Sequence, residues 1–270
     1  LITLLPATHY PRIQSLCQGF DFQLIVTGVI EHTSPGRVLV DNPDHPTSCF
    51  LSTAEGCFLA GNPNNNVFNI ELGKYIHERM SAAKTDPADE LELIFNVSPT
   101  EWTTQFATIF PAKTPTLIPR RYYTCTQLQW KQPVPNTFTI KHITPSLLAN
   151  PNISIPDHIP SWITSNWGSQ EAFMEHGFGF TMLHQNQLVS WSLADCVSGN
   201  RCEIGIQTLP EYRRQGLATH TAAASVDYAL QHGFTQIGWH TSEDNIGSIK
   251  VAEKVGFQRS TEYTWYLFRF

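Results

Sequence analysis

The stretch from Arg201 to Gly233 constrains the fold more than any other, because its apolar periodicity changes once, across a short basic turn. Residues 201–208 read as a strand that ends before Leu209-Pro210-Glu211-Tyr212. From residue 216 to 232, Ala222, Val226, Ala229 and Leu230 recur at helical spacing, and Gly233 suits a left-handed C-cap. Between the two lies Arg213-Arg214-Gln215-Gly216-Leu217-Ala218. The first turn of a helix has backbone N–H groups without intrahelical partners, at the positive end of the helix dipole. An anion such as pyrophosphate fits there. Gly216 and Ala218 are small enough for close approach, Arg213 and Arg214 add charge, and Thr219 adds a hydroxyl. A basic, ligand-free helix start has the same local sequence, so the turn alone leaves both readings open.

The surrounding elements narrow the choice. Residues 157–174 read as short helical pieces, with Ser169 as an N-cap and Gly177 as a terminator. Residues 178–184, 188–195 and 201–208 then form three antiparallel strands, joined by turns at Gln185-Asn186 and Ser198-Gly199-Asn200. After the helix come a strand at 236–240, a second helix from Asn245 to Gly256, and an aromatic strand from Phe257 onward. The N-terminal half repeats the order without the basic turn. It has a strand at 56–61, a loop at Asn64-Asn65-Asn66, a helix at 67–83, a strand at 90–97 and a helix at 100–110. An internal repeat follows from element spacing, not from residue identity. The proline-bearing segment 129–140 reads as a connector, giving domains at 1–128 and 141–270.

Composition removes several function classes. A hydrophobic fraction of 41% and a charged fraction of 15% belong to a globular chain of 270 residues. A formal charge of −6 argues against nucleic acid as a partner. No apolar run is long enough to span a bilayer. The run Leu1-Ile2-Thr3-Leu4-Leu5 is too short for a signal-peptide core and lacks a basic flank, so a cytoplasmic location is expected. Six cysteines without a C-x-x-C pair read as reduced thiols, and eleven histidines form no H-x-x-x-H pair, so no metal is expected. Without a phosphate loop or dinucleotide fingerprint, a nucleotide-binding enzyme fares badly.

The run from Glu203 to Ala218 resembles motif A of the GNAT superfamily of N-acetyltransferases, Q/R-x-x-G-x-G/A after a strand. Asn245-Ile246-Gly247-Ser248 and Glu253-Lys254-Val255-Gly256-Phe257 resemble its motif B. The resemblance covers residues 178–270. Upstream, Phe173-x-x-x-Gly177-Phe178-Gly179-Phe180, with Trp239 before Asn245, resembles the zwittermicin A resistance-type branch, which carries an extra N-terminal domain. Val38-Leu39-Val40-Asp41-Asn42-Pro43 and Pro46-Thr47-Ser48 fit it as well. The resemblance implies an α+β GNAT fold, a mixed, mostly antiparallel twisted sheet flanked by helices, in the C-terminal half. The N-terminal domain is then a degenerate GNAT-like copy. It also implies acetyl-CoA, its pyrophosphate on the N–H groups of Arg214, Gln215, Gly216, Leu217 and Ala218, with Arg213 and Thr219 beside them. The pantetheine arm would pair with Ile206, Gln207 and Thr208, and Asn245 and Ser248 would lie near its sulfur end.

Acetyl transfer needs a deprotonated amine and a protonated leaving thiolate. The resemblance marks Glu203 as a base acting through a water; a strand residue paired with a cation is the plainer account. His240, at the end of its strand, is a second base or a structural histidine. Many relatives carry a tyrosine where this chain has Ala252, so Tyr263 or Tyr266 is the candidate acid, unless both are core aromatics. The leading expectation is acetyl transfer to a small-molecule primary amine, by direct attack in a ternary complex. The acidic balance suggests a cationic acceptor, and a homodimer is compatible with the family. Ala252 supports a different class, a non-catalytic acyl-CoA sensor.

Overall fold

The computed structural model describes residues 2–86 and 88–270, so Leu1, from the apolar N-terminal run, and Pro87 lie outside it. Contacts divide the chain into two compact units, Leu1–Pro119 with Thr264–Phe270, and Arg120–Tyr263. The division falls ahead of the expected connector at 129–140. Strand β6 (Thr116–Cys125) supplies the reason, since its residues from Arg120 to Cys125 pair with residues 237–242. The last residues return to the first unit because Tyr266, Leu267, Phe268 and Arg269 pair with residues 92–95.

The first unit contains β1 (Thr3–Leu4), β2 (Gly36–Val40), β3 (Ser48–Thr53), β4 (Gly56–Gly61) and β5 (Glu92–Ser98). Its helices are α1 (Leu24–Ile30), α2 (Asn66–Ala83) and α3 (Phe106–Ile109). Strands β2, β3 and β4 form an antiparallel meander, and β4 pairs in parallel with β5 across α2. The helix expected at 100–110 is mostly a tighter 3-10 turn, Thr100–Gln105, before α3. The hydroxyls of Thr103 and Thr104 donate to the carbonyls of Thr100 and Glu101, each at 2.8 Å, and compete with the α-helical ladder.

The second unit adds β7 (Thr139–His142), β8 (Gly179–His184), β9 (Gln187–Ser198), β10 (Arg201–Thr208), β11 (Gln236–Ser242) and residues up to Tyr263 of β12 (Gln258–Arg269). Its helices are α4 (Pro145–Leu148), α5 (His158–Trp167), α6 (Gln170–His176), α7 (Leu217–Gln231) and α8 (Ile246–Val255). The Ser169 hydroxyl caps α6 by accepting the Ala172 N–H at 3.1 Å. The order β6-β11-β10-β9-β8-β7 places β10 and β9 centrally. As in the first unit, an antiparallel meander (β8, β9, β10) leads through a helix to a parallel partner, β11. The same topology in both units is the repeat that element spacing suggested.

Strand alternation sends Cys202 and Ile204 into a core shared with Trp239 and with Ala222, Val226 and Ala229 of α7. Glu203 and Gly205 take the other face, where the α5 residue Trp162 lies against Gly205. With both faces covered, β9 is buried almost throughout. Segment 126–138 is irregular yet tied down. The Gln129 N–H donates to the Val255 carbonyl at 2.8 Å, and Val134 and Phe138 pack on Met182, Val189 and Leu217.

Candidate active site

The β10–β11 ladder runs from Arg201↔Gln236 to Glu203↔Gly238, while the strands continue to Thr208 and Ser242. Beyond the ladder, β10 stays paired with β9, with a bulge between Glu203 and Ile204. A cleft of about 740 Å³ is lined by residues 206–208 of this strand, by the turn and start of α7, and by one face of α8. Gly216, the N-cap of α7, has φ 79° and Arg214 has φ 62°, so the turn is left-handed at two points. An added Cβ at Gly216 meets no heavy atom within 4 Å, so this backbone faces open space. The charged side chains lining the cleft are four cations, Arg213, Arg214, Lys250 and Lys254, in a chain that is acidic overall. Cations, exposed backbone and a helix start together suit an extended phosphate-bearing ligand.

Of the residues expected to hold that ligand, Ile206, Gln207, Thr208, Arg213, Arg214, Gly216, Leu217, Ala218, Thr219, Asn245 and Ser248 line the cleft. Gln215 is exposed in the same turn but is not among the lining residues. Asn245 also caps α8, its Oδ1 accepting the Ser248 N–H at 3.1 Å, and the Ser248 hydroxyl accepts from Trp239 Nε1 at 3.0 Å. Lys250 and Val251 carry no assignment from sequence. With Gly247 and Lys254 they occupy i, i+3, i+4 and i+7 of α8, a stripe that helical spacing makes legible.

Three of the candidate catalytic side chains meet. His240 Nε2 lies 3.1 Å from Glu203 Oε1, and the Tyr263 hydroxyl lies 2.8 Å from His240 Nδ1. Glu203 is 2% exposed, and its Oε2 accepts from the Cys196 thiol at 3.4 Å. At that burial the Glu203 carboxylate is held against the His240 ring, the pairing that its plainer account as a strand residue beside a cation described. Gly238 makes the packing feasible, since a Cβ there would fall 2.6 Å from Glu203 Cγ and 2.9 Å from the Tyr122 hydroxyl. Tyr122 stacks on the His240 ring at 4.6 Å. Burial, followed by the Glu203 charge, pushes its phenol well above the usual range, so Tyr122 stays protonated. Tyr266 does not join the group. It belongs to the first unit, opposite Phe95 and edge-on to Phe106 at 5.1 Å, as a core aromatic.

The described residues contain no group of three or more His, Cys, Asp or Glu placed to hold a metal ion. No helix among them is long and apolar enough to cross a membrane. A cleft that presents cations and backbone donors to a phosphate-bearing ligand is the layout of a group-transfer enzyme. The chain belongs to the GNAT acetyltransferase family, whose model matches residues 14–266, and it is an N-acetyltransferase. It is 28% identical over 244 residues, 89% of this chain and 88% of the relative, to the uncharacterized N-acetyltransferase YdfB of Bacillus subtilis (strain 168). Its fold is similar to that of a GCN5-related N-acetyltransferase-like protein from Streptococcus suis 89/1591. The TM-score is 0.70 and the identity 22%, covering 97% of this chain and 99% of that one. A tandem GNAT protein from the clavulanic acid biosynthesis pathway is similar too, with a TM-score of 0.62, 11% identity and coverage of 100% and 98%.

Proposed function

We propose that this chain transfers the acetyl group of acetyl-CoA to a primary amine on a small molecule, by direct attack in a ternary complex. The observation that carries the reading is His240, with Glu203 on one ring nitrogen and Tyr263 on the other. Acetyl-CoA fits the cleft as substrate. Its diphosphate suits the N–H groups at the start of α7 and the cations Arg213, Arg214, Lys250 and Lys254. Its pantetheine arm suits the edge of residues 206–208, which continues past the β10–β11 ladder. An antibiotic-like acceptor follows from the resemblance to the zwittermicin A resistance-type branch.

In this reading the amine nitrogen forms the new C–N bond while the C–S bond breaks and CoA leaves as thiolate. The attacking nitrogen gives its proton to Tyr263, whose own proton passes to His240 Nδ1. Glu203 stabilises the imidazolium that results, as a buried carboxylate does for a catalytic histidine. The proton returns to the thiolate from Tyr263, which supplies the acid that Ala252 does not. Such acid–base assistance contributes roughly 10²–10⁴-fold.

The test is acetyl-CoA turnover with a panel of primary amines, read as released thiol. Turnover with at least one amine, lost in Tyr263→Phe and in His240→Gln, is the expected result. Tight CoA binding with no transfer to any amine, even at high pH, overturns the proposal and favours a sensor.

A further inference from the structure

Tyr263 has a second neighbour, a strand arginine with no motif around it. Arg120, on β6, lies directly opposite Ser242 of β11. Its Nη1 donates to the Ser242 hydroxyl at 3.1 Å, and its Nε donates to the Tyr263 hydroxyl at a long 3.4 Å. The next residue, Arg121, is directed instead at Glu243 and Glu262. Consecutive strand residues face opposite ways, so adjacent arginines serve different partners.

We propose that Arg120 is a positioning residue that sets the direction of every hydrogen bond in the Tyr263–His240–Glu203 relay. The assignment rests on the relay reading above. A guanidinium has donors and no acceptor, whereas an ionised carboxylate only accepts. Beside Arg120, the Tyr263 oxygen accepts, so its single hydrogen points to His240 Nδ1. That nitrogen is therefore the bare one, and the neutral ring carries its hydrogen on Nε2, directed at Glu203. A donor-only end and an acceptor-only end thus fix one order of protons. When the Tyr263 proton moves to His240, both new charges are already faced by opposite ones, Arg120 beside the phenolate and Glu203 beside the imidazolium. Hydrogen bonds with an ionised partner are about twice as strong as neutral ones, so this placement favours transfer along the relay. The Ser242 contact keeps the guanidinium in place without adding charge.

The experiment is ¹⁵N NMR of the His240 ring in the full-length protein, with steady-state kinetics on the same variants. The wild type is expected to show hydrogen on Nε2 and a bare, hydrogen-bonded Nδ1. Arg120→Gln introduces an acceptor, so the tautomers mix and kcat falls about tenfold, a fraction of the acid–base contribution. Arg120→Lys retains a donor-only cation and restores both the tautomer and most of the rate. In a Tyr263→Phe background, Arg120→Gln has no further effect on either. A wild-type ring with hydrogen on Nδ1 overturns the proposal even if no variant folds. So does an unchanged tautomer in a folded Arg120→Gln protein. A ring that switches with residue 120 in a protein that acetylates no amine supports Arg120 and sinks the acetyl-transfer reading instead.

Discussion

Gly216 offers a perturbation in which conformational strain and ligand charge can be measured apart. Its φ of 79° lies in the left-handed region, where an L side chain costs about 1–2 kcal/mol. Because an added Cβ meets nothing within 4 Å, Gly216→Ala adds strain without a clash. A loss of roughly 1 kcal/mol lowers Tm by about 2–4 °C in a chain of this size. Gly216→Asp differs in two ways. A carboxylate at the N-cap accepts an N–H from the first turn of α7, so its stability matches or exceeds that of the Ala variant. The same carboxylate opposes a diphosphate at that turn and occupies donors the diphosphate would use. One like-charge pair about 4 Å apart costs roughly 1–4 kcal/mol between bulk-water and protein-surface screening. Affinity for acetyl-CoA should therefore fall about fivefold to several-hundredfold. Calorimetric titration of CoA, paired with thermal melts, reads both effects. A folded Gly216→Asp protein that binds CoA like the wild type would remove the anion from the start of α7.

Three further outcomes concern packing, titration and a helix cap. Gly205→Ala places a Cβ 2.3 Å from Trp162 Cζ2, and overpacking of that kind costs about 1–3 kcal/mol, visible as a lower urea midpoint; an unchanged midpoint would mean Trp162 moves freely. Burial holds the His220 ring below its ordinary pKa, and its Nδ1 accepts from Trp130 Nε1 at 3.4 Å. A depressed folded-state pKa favours folding above the unfolded value, about 6.5, and that contribution is lost as pH falls below it. Melting temperature should thus decline from pH 7 to pH 5 more steeply in the wild type than in His220→Gln, and equal slopes would refute the role. Asn245→Ala removes the α8 cap, costing about 1 kcal/mol, and should weaken CoA binding beyond what Ser248→Ala does.

How much of this was legible in sequence depends on how local each feature is. The cation-lined cleft is nearly contiguous in sequence, a strand end, a turn, a helix start and one helix face, and each has a residue pattern of its own. Tyr263 and Tyr266 were separable in principle. They are three residues apart on one strand, so they face opposite sides, and only one can share a face with His240. Arg120, Tyr122 and Cys196 could not be found in that way. Their roles come from pairings of β6 with β11 and of β9 with β10. The expected boundary at 129–140 leaves all of β6 on its N-terminal side, whereas contacts group its residues from Arg120 onward with β11, a pairing no local residue pattern announces. The six cysteines, all buried and free, show the same limit, since only packing reveals that Cys196 serves Glu203.

The repeat sharpens where the chemistry can reside. In the first unit, the turn from β4 into α2 is Gly61-Asn62-Pro63-Asn64-Asn65, the counterpart of the basic turn before α7. Several of its backbone donors already have partners within the unit. The Asn62 N–H donates to the Thr47 carbonyl at 2.7 Å, the Asn64 N–H to Asn62 Oδ1 at 3.0 Å, and the Phe68 N–H to Asn65 Oδ1 at 3.2 Å. Asn65 Nδ2 in turn donates to the Asp41 carboxylate at 3.0 Å, which places a negative charge beside the helix start. A turn with several N–H groups already paired and a carboxylate beside it offers less to a diphosphate, although its topology matches that of the second unit. Topology depends on apolar alternation and helix packing, which many sequences satisfy. Anion binding depends on a few donors left facing outward, and substitutions with asparagine side chains are enough to remove them. The same element order can therefore persist in both units while an open, cation-lined turn is confined to the one with Arg213, Arg214 and Gly216.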